Sequence, residues 1–245
     1  TFDYIVVGGG AAGCVVAAEL AERGTGSVRL LEHGERGEHH PESLTADGYK
    51  QAFINDSLMH ERFSAPQAGC GGRRLFMGSG RGVGGSGAIN AMVYTRGARE
   101  DFDAWGAGWS WQEVAPVFER LERMLGPNRR PPTQFTEACI RAAESVGMRR
   151  KEDLNDGDLT GVLGYEWMNF RGPERRSSYV SYLKGRALER LTLRTQCVAR
   201  RVLFDKERRA IGVEVRERGS VRVLRARREI VLCAGALETP KLLLL

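Results

Sequence analysis

Three glycines near the N-terminus have the spacing of a turn that holds a negatively charged ligand. They are Gly8, Gly10 and Gly13, in the segment FDYIVVGGGAAGCVVAAELAERG. In a strand–turn–helix unit, the first glycine makes the tight turn, the second lets a pyrophosphate approach the backbone, and the third lets the helix pack closely on the strand. The free N–H groups and partial positive charge of the helix N-terminus attract the anion. The spacing therefore predicts a dinucleotide-binding turn.

The elements around these glycines are the ones that such a turn requires. The apolar run from Tyr4 to Val7 predicts a buried parallel strand, and the apolar stripe after the turn predicts a helix that ends near Gly24. A second strand, SVRLLEHG, ends on Glu32. An acidic residue at this point accepts hydrogen bonds from an adenosine ribose and disfavours a 2′-phosphate. Residues 1–34 are thus predicted to hold the ADP half of a dinucleotide; a βαβ unit with a merely glycine-rich turn is the alternative.

A second glycine-rich stretch, MGSGRGVGGSGAINAMVY, contains six glycines between Gly78 and Gly87. Glycine in bulk increases the entropy lost on folding, so a run of this kind needs a structural reason. A flexible surface loop is one interpretation, but the run leads into an apolar segment rather than a polar linker. A second backbone surface for the ligand is more than NAD needs. FAD is longer and often buried along its whole length, so the two stretches together favour FAD.

Around this second stretch the chain resembles the glucose–methanol–choline (GMC) oxidoreductases. The segment GRGVGGSGAINAMVYTRGAREDFD, Gly80 to Asp103, matches the first signature of that family, and FDAWGAGWSWQEV continues in the family's manner. Near the end, GALETPKLLLL matches the first part of the second signature. The resemblance covers essentially the whole chain, as the N-terminal half of a family member. It implies an α/β fold: a Rossmann-like FAD-binding domain with a small antiparallel β-meander, the substrate and catalytic C-terminal part being absent.

The resemblance also implies which residues contact FAD. Ser86 and nearby amides would face the pyrophosphate, and Ala11, Ala12 and Glu32 would hold the adenosine end. Asn90, Ala91 and Val93 would line the flavin, and Val198 would contact the adenine through its backbone. Ile89 stands where some members tether the flavin through a histidine, so the cofactor is expected to be non-covalent. The full expected set is Gly8, Gly10, Ala11, Ala12, Gly13, Glu32, Arg81, Gly85, Ser86, Asn90, Ala91, Met92, Val93, Val198, Ala234 and Gly235.

The activity implied by the resemblance is the oxidation of a small-molecule alcohol, in which a hydride passes to the flavin while a base takes the hydroxyl proton. Lyase or fatty-acid photodecarboxylase chemistry on the same FAD site is an alternative within the family. A non-catalytic FAD-binding fragment that docks with a partner chain is another. All four histidines fall between His33 and His60, so the family's catalytic histidine and its His or Asn partner are expected beyond Leu245. The C-terminal half, or a second chain, would complete the active site.

The composition of the chain argues against several other classes of function. The net charge of +6 comes from basic doublets with acidic residues between them, which is typical of a solvated face, and we predict no nucleic-acid binding. No apolar run is long enough for a membrane span. The five cysteines form no CxxC pair, which favours buried thiols in a reducing compartment and a cytoplasmic protein. The histidines lack metal-ligand spacing and are interpreted as surface residues, with no metal.

Three segments are predicted: an FAD-binding region at 1–105, a helical and loop insertion at 106–185, and a β-meander with a return to the FAD-binding domain at 186–245. Within the second segment, Ser110 and Glu113 form a capping box for a helix that runs to about Leu125. Other expected elements are a helix at about 136–146, antiparallel strands over 191–233 and a final helix from Thr239-Pro240. Residues 40–75 show little periodicity and carry no prediction.

Overall fold

The computed structural model describes residues 1–24 and 26–245. It divides into two compact units: Thr1–Ala91 with Ser177–Leu245, here called the sheet unit, and Met92–Arg176, here called the inserted unit. These boundaries differ from the predicted ones at 105 and 185. The chain leaves the sheet unit directly after the second glycine-rich stretch, and it returns with a helix that packs against the first helix.

Six strands of the sheet unit form one sheet within the described residues. They are β1 (Phe2–Val7), β2 (Val28–Leu31), β3 (Leu191–Arg194), β4 (Cys197–Phe204), β5 (Ala210–Glu217) and β6 (Ser220–Leu232). The α-helices of the described chain are α1 (Ala11–Glu22), α2 (Tyr49–Phe53), α3 (Arg99–Asp103), α4 (Trp111–Leu125), α5 (Gln134–Ser145), α6 (Ser178–Tyr182) and α7 (Gly235–Leu244).

The strand order of the sheet is β3-β2-β1-β6-β5-β4. The strands β3, β2, β1 and β6 are parallel, whereas β6, β5 and β4 pair in antiparallel fashion. The long strand β6 belongs to both parts: its first half pairs with β5 and its second half pairs with β1. The α/β fold is therefore confirmed. The predicted meander is present, but it continues the parallel sheet rather than standing apart from it.

Apolar side chains on one face of the sheet hold its parallel and antiparallel parts together. Ile5 and Leu31 from the parallel strands pack in one buried cluster with Val213 and Val215 of β5 and Leu242 of α7. Helix α1 presents small residues, among them Ala17 and Ala18, as its buried face. Small side chains allow a helix to approach its neighbours closely, which fixes the position of its N-terminus relative to the strands.

The inserted unit contains α3, α4 and α5 with short two-residue strands. The predicted capping box is present: Ser110 caps α4 together with Glu113, and Gly126 ends the helix in the left-handed conformation. Helix α5 begins slightly earlier than predicted, at Gln134, because the side chain of Thr133 accepts a hydrogen bond from the Thr136 N–H. Local capping chemistry was sufficient to predict α4.

Other expectations need correction. Helix α7 begins at Gly235, so Pro240 lies inside it rather than at its start. Residues 40–75, for which the sequence carried no prediction, form α2, short 3₁₀ helices, the short strand Met59–His60 and connecting loops. All five cysteines are free, but Cys139 is exposed and not a buried thiol. None of the helices in residues 1–24 and 26–245 combines the length and apolarity that crossing a membrane requires.

Candidate functional site

A cleft of about 860 Å³ opens at the carboxyl ends of the parallel strands of the sheet unit. The residues that follow β1, β2 and β6, namely Gly8, Glu32 and Cys233, all line it. In open α/β sheets, ligands bind in the crevice outside these strand ends. The volume lies within the range of about 300–1,000 Å³ that is usual for cofactor and small-molecule sites.

The N-terminus of α1 faces this cleft without a capping side chain. Gly10 is the N-cap residue, no side chain caps it within the described structure, and the first turn carries no acidic residue. Ala11 and Ala12 of that turn line the cleft and are exposed. The first N–H groups of a helix lack intrahelical partners and carry partial positive charge. This arrangement fits an anionic group such as a pyrophosphate.

The other two glycines of the first turn serve the packing of the turn itself. Gly8 adopts a φ of 100°, and a Cβ at this position would lie 2.4 Å from the carbonyl oxygen of Cys233. A Cβ on Gly13 would lie 1.8 Å from the carbonyl oxygen of Gly8. Any other residue at Gly13 would therefore force α1 away from β1, and the helix N-terminus would leave its place in the cleft.

Glu32 joins the two glycine-rich stretches. Its side chain is 7% exposed. One carboxylate oxygen accepts hydrogen bonds from the N–H groups of Gly34 at 2.8 Å and Gly82 at 3.0 Å, and the other accepts from the N–H of Gly9 at 2.8 Å. The predicted ribose acid is thus also a structural acceptor for three backbone amides, one of them in the second glycine-rich stretch.

The bonding of Glu32 leaves capacity for a ligand. A carboxylate offers about four lone-pair sites, and the N–H groups of Gly34, Gly82 and Gly9 occupy three of them among the described residues. Burial raises the pKa of the Glu32 carboxyl above its ordinary value, and the backbone N–H groups that donate to it oppose that rise. Because Glu32 lines the cleft, a hydroxyl group of a bound ligand can reach the remaining acceptor position.

The second glycine-rich stretch packs backbone against backbone. A Cβ on Gly80 would lie 2.4 Å from the carbonyl group of Gly85, and a Cβ on Gly85 would lie 2.8 Å from the Cα of Gly10. The N–H of Gly84 donates to the carbonyl of Gly9 at 2.7 Å. The stretch therefore lies directly on the first glycine turn, and side chains are excluded because two backbone segments are in contact.

Within this stretch, Ser86 and Gly87 face the cleft. The hydroxyl oxygen of Ser86 accepts a hydrogen bond from the N–H of Gly80 at 3.0 Å, which fixes its orientation and leaves its own hydrogen to be donated. A Cβ on Gly87 would meet no described atom within 4 Å. At Gly10 the nearest atom to such a Cβ would be the Gly85 Cα, at 3.8 Å. The site thus has open glycine positions where a ligand can approach the backbone.

The structure brings most of the predicted cofactor residues to the cleft. Those that line it are Gly8, Gly10, Ala11, Ala12, Glu32, Gly85, Ser86, Val198, Ala234 and Gly235. Gly13 lies behind the turn as a packing residue. The guanidinium of Arg81 instead donates to the carbonyl of Ser57 at 3.0 Å.

The residues predicted to contact the flavin lie where the two units join in sequence. Asn90 and Ala91 end the sheet unit and do not line the cleft, whereas Met92 and Val93 begin the inserted unit. Met92 is buried and has a φ of 65°. A left-handed backbone is uncommon for a residue other than glycine and is often found at functional sites.

Sequence reasoning missed two cleft residues, His33 and His60, because it interprets them as surface histidines. Both line the cleft, and their ring centroids are 4.9 Å apart. For His33, the signal available in the sequence was its position directly after Glu32, the predicted ribose acid. The pairing of the short strand Met59–His60 with Ser79–Gly80 brings His60 to the site, and no sequence pattern indicated that pairing. The described residues contain no group of three or more His, Cys, Asp or Glu side chains that could hold a metal ion.

Comparisons with known proteins identify relatives of this chain. The family model described as GMC oxidoreductase matches residues 2–245. The chain is 36% identical over 266 residues to the oxygen-dependent choline dehydrogenase of Photobacterium profundum, covering 99% of this chain and 46% of that protein. It is 32% identical over 270 residues to the oxygen-dependent choline dehydrogenase of Sinorhizobium medicae, with 99% and 47% covered.

Solved structures agree in fold. Pyridoxine 4-oxidase from Mesorbium loti superposes with a TM-score of 0.89 at 30% identity, over 99% of this chain and 51% of that one. A formate oxidase of Aspergillus oryzae, from a study of FAD modification, gives a TM-score of 0.85 at 24% identity, over 99% and 47%; at that identity the likeness shows the fold alone. The chain spans about half the length of the relatives it matches.

Proposed function

Because this chain belongs to the GMC oxidoreductase family and FAD is its cofactor, we propose that it is the FAD-binding half of an enzyme that oxidises an alcohol. One observation carries the proposal: the uncapped N-terminus of α1, the acceptor Glu32 and the donor Ser86 line a single cleft at the carboxyl edge of the sheet. When bound, FAD supplies the capacity to accept a hydride. The residues of this chain bind and orient it.

We assign the polar groups of the cleft to the two ends of the ADP half. The N–H groups of Ala11 and Ala12 would bind the pyrophosphate together with the hydroxyl hydrogen of Ser86. The remaining acceptor position on Glu32 would bind the ribose. Open space at Gly10 and Gly87 supports this assignment, because there the backbone is accessible from the cleft.

The flavin end is assigned to residues 90–93, and we propose that the flavin is held without a covalent bond. Ile89 is 5% exposed and packs in an apolar cluster with Ala52 and Leu58, and a hydrocarbon side chain offers no nucleophile to the flavin. Acid precipitation of the protein is expected to release all flavin into the supernatant. Yellow colour that stays in the washed pellet would contradict this assignment.

An alcohol is proposed as substrate because the relatives are named for choline and pyridoxine, both of which carry a primary hydroxyl group. The chain spans about half of those relatives, and no residue within 1–245 is proposed as the catalytic base. We propose that the C-terminal half, or a second chain, contributes the base and completes the substrate pocket.

Flavin bleaching without oxygen tests the proposal. Adding choline, pyridoxine or simple primary alcohols to the flavin-loaded protein completed by its C-terminal half or second chain is expected to bleach the flavin absorbance with at least one substrate. Residues 1–245 alone, loaded with FAD, are expected to show no bleaching, because they lack the base. The matched carboxylates, glycine betaine and pyridoxic acid, serve as controls. In each, a carboxylate replaces the hydroxymethyl group that would be oxidised, so the flavin is expected to stay in its oxidised form. Light-dependent loss of CO₂ from a fatty acid, without bleaching by any alcohol, would favour the decarboxylase alternative.

A further inference from the structure

Two histidines in the cleft have no part in the assignment above. His33 follows Glu32 directly and is exposed, and half-buried His60 ends the short strand Met59–His60. Their rings are in contact, with an angle of 40° between the ring planes. The partner strand Ser79–Gly80 fixes His60, because Ser79 pairs with it directly and Gly80 packs on Gly85. The imidazole pair is therefore built on the rigid glycine-rich stretch.

The pair lies at the adenosine end of the cleft. The pyrophosphate is assigned to the N-terminus of α1 and the ribose to Glu32, and His33 directly follows Glu32 in the chain. The N–H of Cys197 donates to the carbonyl of Glu32 at 2.9 Å, which brings the start of β4 to the same place. Val198 of β4 and Leu237 of α7 also line the cleft. A flat, mostly apolar group fits between such walls.

The surroundings of the two rings disfavour their protonated forms. Burial, followed by the charge of Arg81, lowers the pKa of His33; burial, followed by Arg62 and His33 itself, lowers the pKa of His60 to about 4. Arg62 also binds Glu238 of α7 at 2.7 Å. Neutral imidazoles are poor partners for phosphate but present flat faces on which a purine can stack.

We propose that His33 and His60 form a stacking platform for the adenine ring of FAD, and that they thereby strengthen the binding of the AMP half of the cofactor. The inference rests on FAD as the cofactor and not on the identity of the substrate. It assigns no proton transfer to either histidine.

The test compares ligands that do and do not contain adenine. FAD, ADP and FMN are titrated into flavin-stripped protein carrying His33→Ala or His60→Ala, with calorimetry for ADP and flavin fluorescence for the other two. Because the alanine variants lose the stacking of the base on an aromatic ring, FAD and ADP are expected to bind about tenfold more weakly. FMN lacks the adenine, and its affinity is expected to stay unchanged.

Two further variants separate stacking from a general structural role. His33→Phe keeps a flat ring and is expected to bind FAD within about threefold of the parent, whereas His33→Gln keeps polarity without the ring and is expected to match alanine. His39→Ala is the control, because His39 is exposed and its ring contacts Glu35; it is expected to bind all three ligands normally. Thermal unfolding of each stripped variant checks that it is folded.

Several outcomes would overturn the proposal. Unchanged FAD and ADP affinity in the alanine variants would remove the platform, and so would a phenylalanine variant as weak as alanine. An equal loss for FMN and FAD would place the histidines at the phosphate or flavin end. Because affinities are read without any alcohol, a failure of the proposed oxidation would leave this result intact.

Discussion

The first glycine turn and the second glycine-rich stretch have similar compositions but contain glycines of two kinds. At Gly13 and Gly80, an added Cβ would collide with backbone atoms of the protein itself, at 1.8 Å and 2.4 Å. At Gly10 and Gly87, an added Cβ would meet nothing described closer than 3.8 Å, and both positions line the cleft. The first kind serves the fold, and the second kind leaves room for the cofactor.

This difference changes the explanation of the second stretch. From the sequence, its glycines were attributed to close approach by the cofactor. In the structure, much of the requirement comes from contact with the first turn, through the Gly85–Gly10 approach and the Gly84 to Gly9 hydrogen bond. The two stretches form one rigid backbone layer, and substitutions should separate stability from FAD affinity position by position.

The largest effect is expected for Gly13→Ala. The new methyl group would overlap the carbonyl oxygen of Gly8, a backbone atom that can move only if the strand or the helix moves with it. Overpacking of this kind is expected to lower the free energy of unfolding by about 3 kcal/mol or more and to abolish FAD binding. Chemical denaturation with and without FAD measures both.

The matched control for Gly13→Ala is Gly69→Ala. Gly69 is exposed, its Cβ would meet no described atom within 4 Å, and its φ lies outside the left-handed region. The change there is expected to stay within about 0.5 kcal/mol. A Gly13→Ala protein as stable as this control would contradict the fold-serving role of Gly13.

A smaller but similar effect is expected for Gly80→Ala. Its Cβ would lie 2.4 Å from the Gly85 carbonyl group and 2.5 Å from the Ser86 nitrogen, a smaller overlap than the 1.8 Å approach at Gly13. We expect a loss of about 2–3 kcal/mol in the free energy of unfolding of the stripped protein, as for other overpacked sites. Loss of FAD affinity with unchanged stability would move Gly80 to the cofactor-serving kind.

Glu32→Gln tests the link between the two stretches. An amide keeps one acceptor oxygen for the Gly34 and Gly82 N–H groups, but it turns a donor toward the N–H of Gly9. One unsatisfied buried donor is expected to lower the free energy of unfolding by about 1–2 kcal/mol even without FAD. Denaturation of the stripped protein measures this loss.

The control for Glu32→Gln is Glu19→Gln, which removes an exposed carboxylate paired with Arg23 across one turn of α1. Pairs of this kind contribute little, and a change within about 0.5 kcal/mol is expected. If Glu32→Gln weakened FAD binding while leaving the stripped protein as stable as the Glu19 control, Glu32 would be a ribose acceptor alone.

The sequence predicted those features that depend on residues close together in the chain. The glycine spacing with the flanking apolar runs was sufficient for β1, α1 and β2, and the Ser110–Glu113 capping box was sufficient for α4. These elements are specified by local geometry, so a short window of residues contains the information.

Features made by distant residues were not predicted. The bond from Gly82 to Glu32 joins residues that are 50 positions apart, and His60, which contacts His33, lies in residues 40–75, which show little periodicity. The last helix was predicted to start at Thr239-Pro240, and proline is in general favoured in the first turn of a helix. In the structure α7 starts at Gly235, so the local preference of the proline did not set the helix boundary.

The smallest effect on stability, and the sharpest test of the two kinds of glycine, is expected for Gly87→Ala. Gly87 lies in the 3₁₀ helix Gly85–Ala88, its φ lies outside the left-handed region, and its Cβ would meet no described atom within 4 Å. The stripped protein is expected to be as stable as the parent or more stable by about 0.4–1 kcal/mol, because alanine restricts the unfolded chain. Since the methyl group would occupy part of the cleft, FAD affinity is expected to fall by about tenfold, close to 1.4 kcal/mol. Gly69→Ala makes the same substitution at a position that does not line the cleft, and this variant should bind FAD normally. A Gly87→Ala protein that binds FAD as tightly as the Gly69 control would show that this part of the stretch does not contact the cofactor.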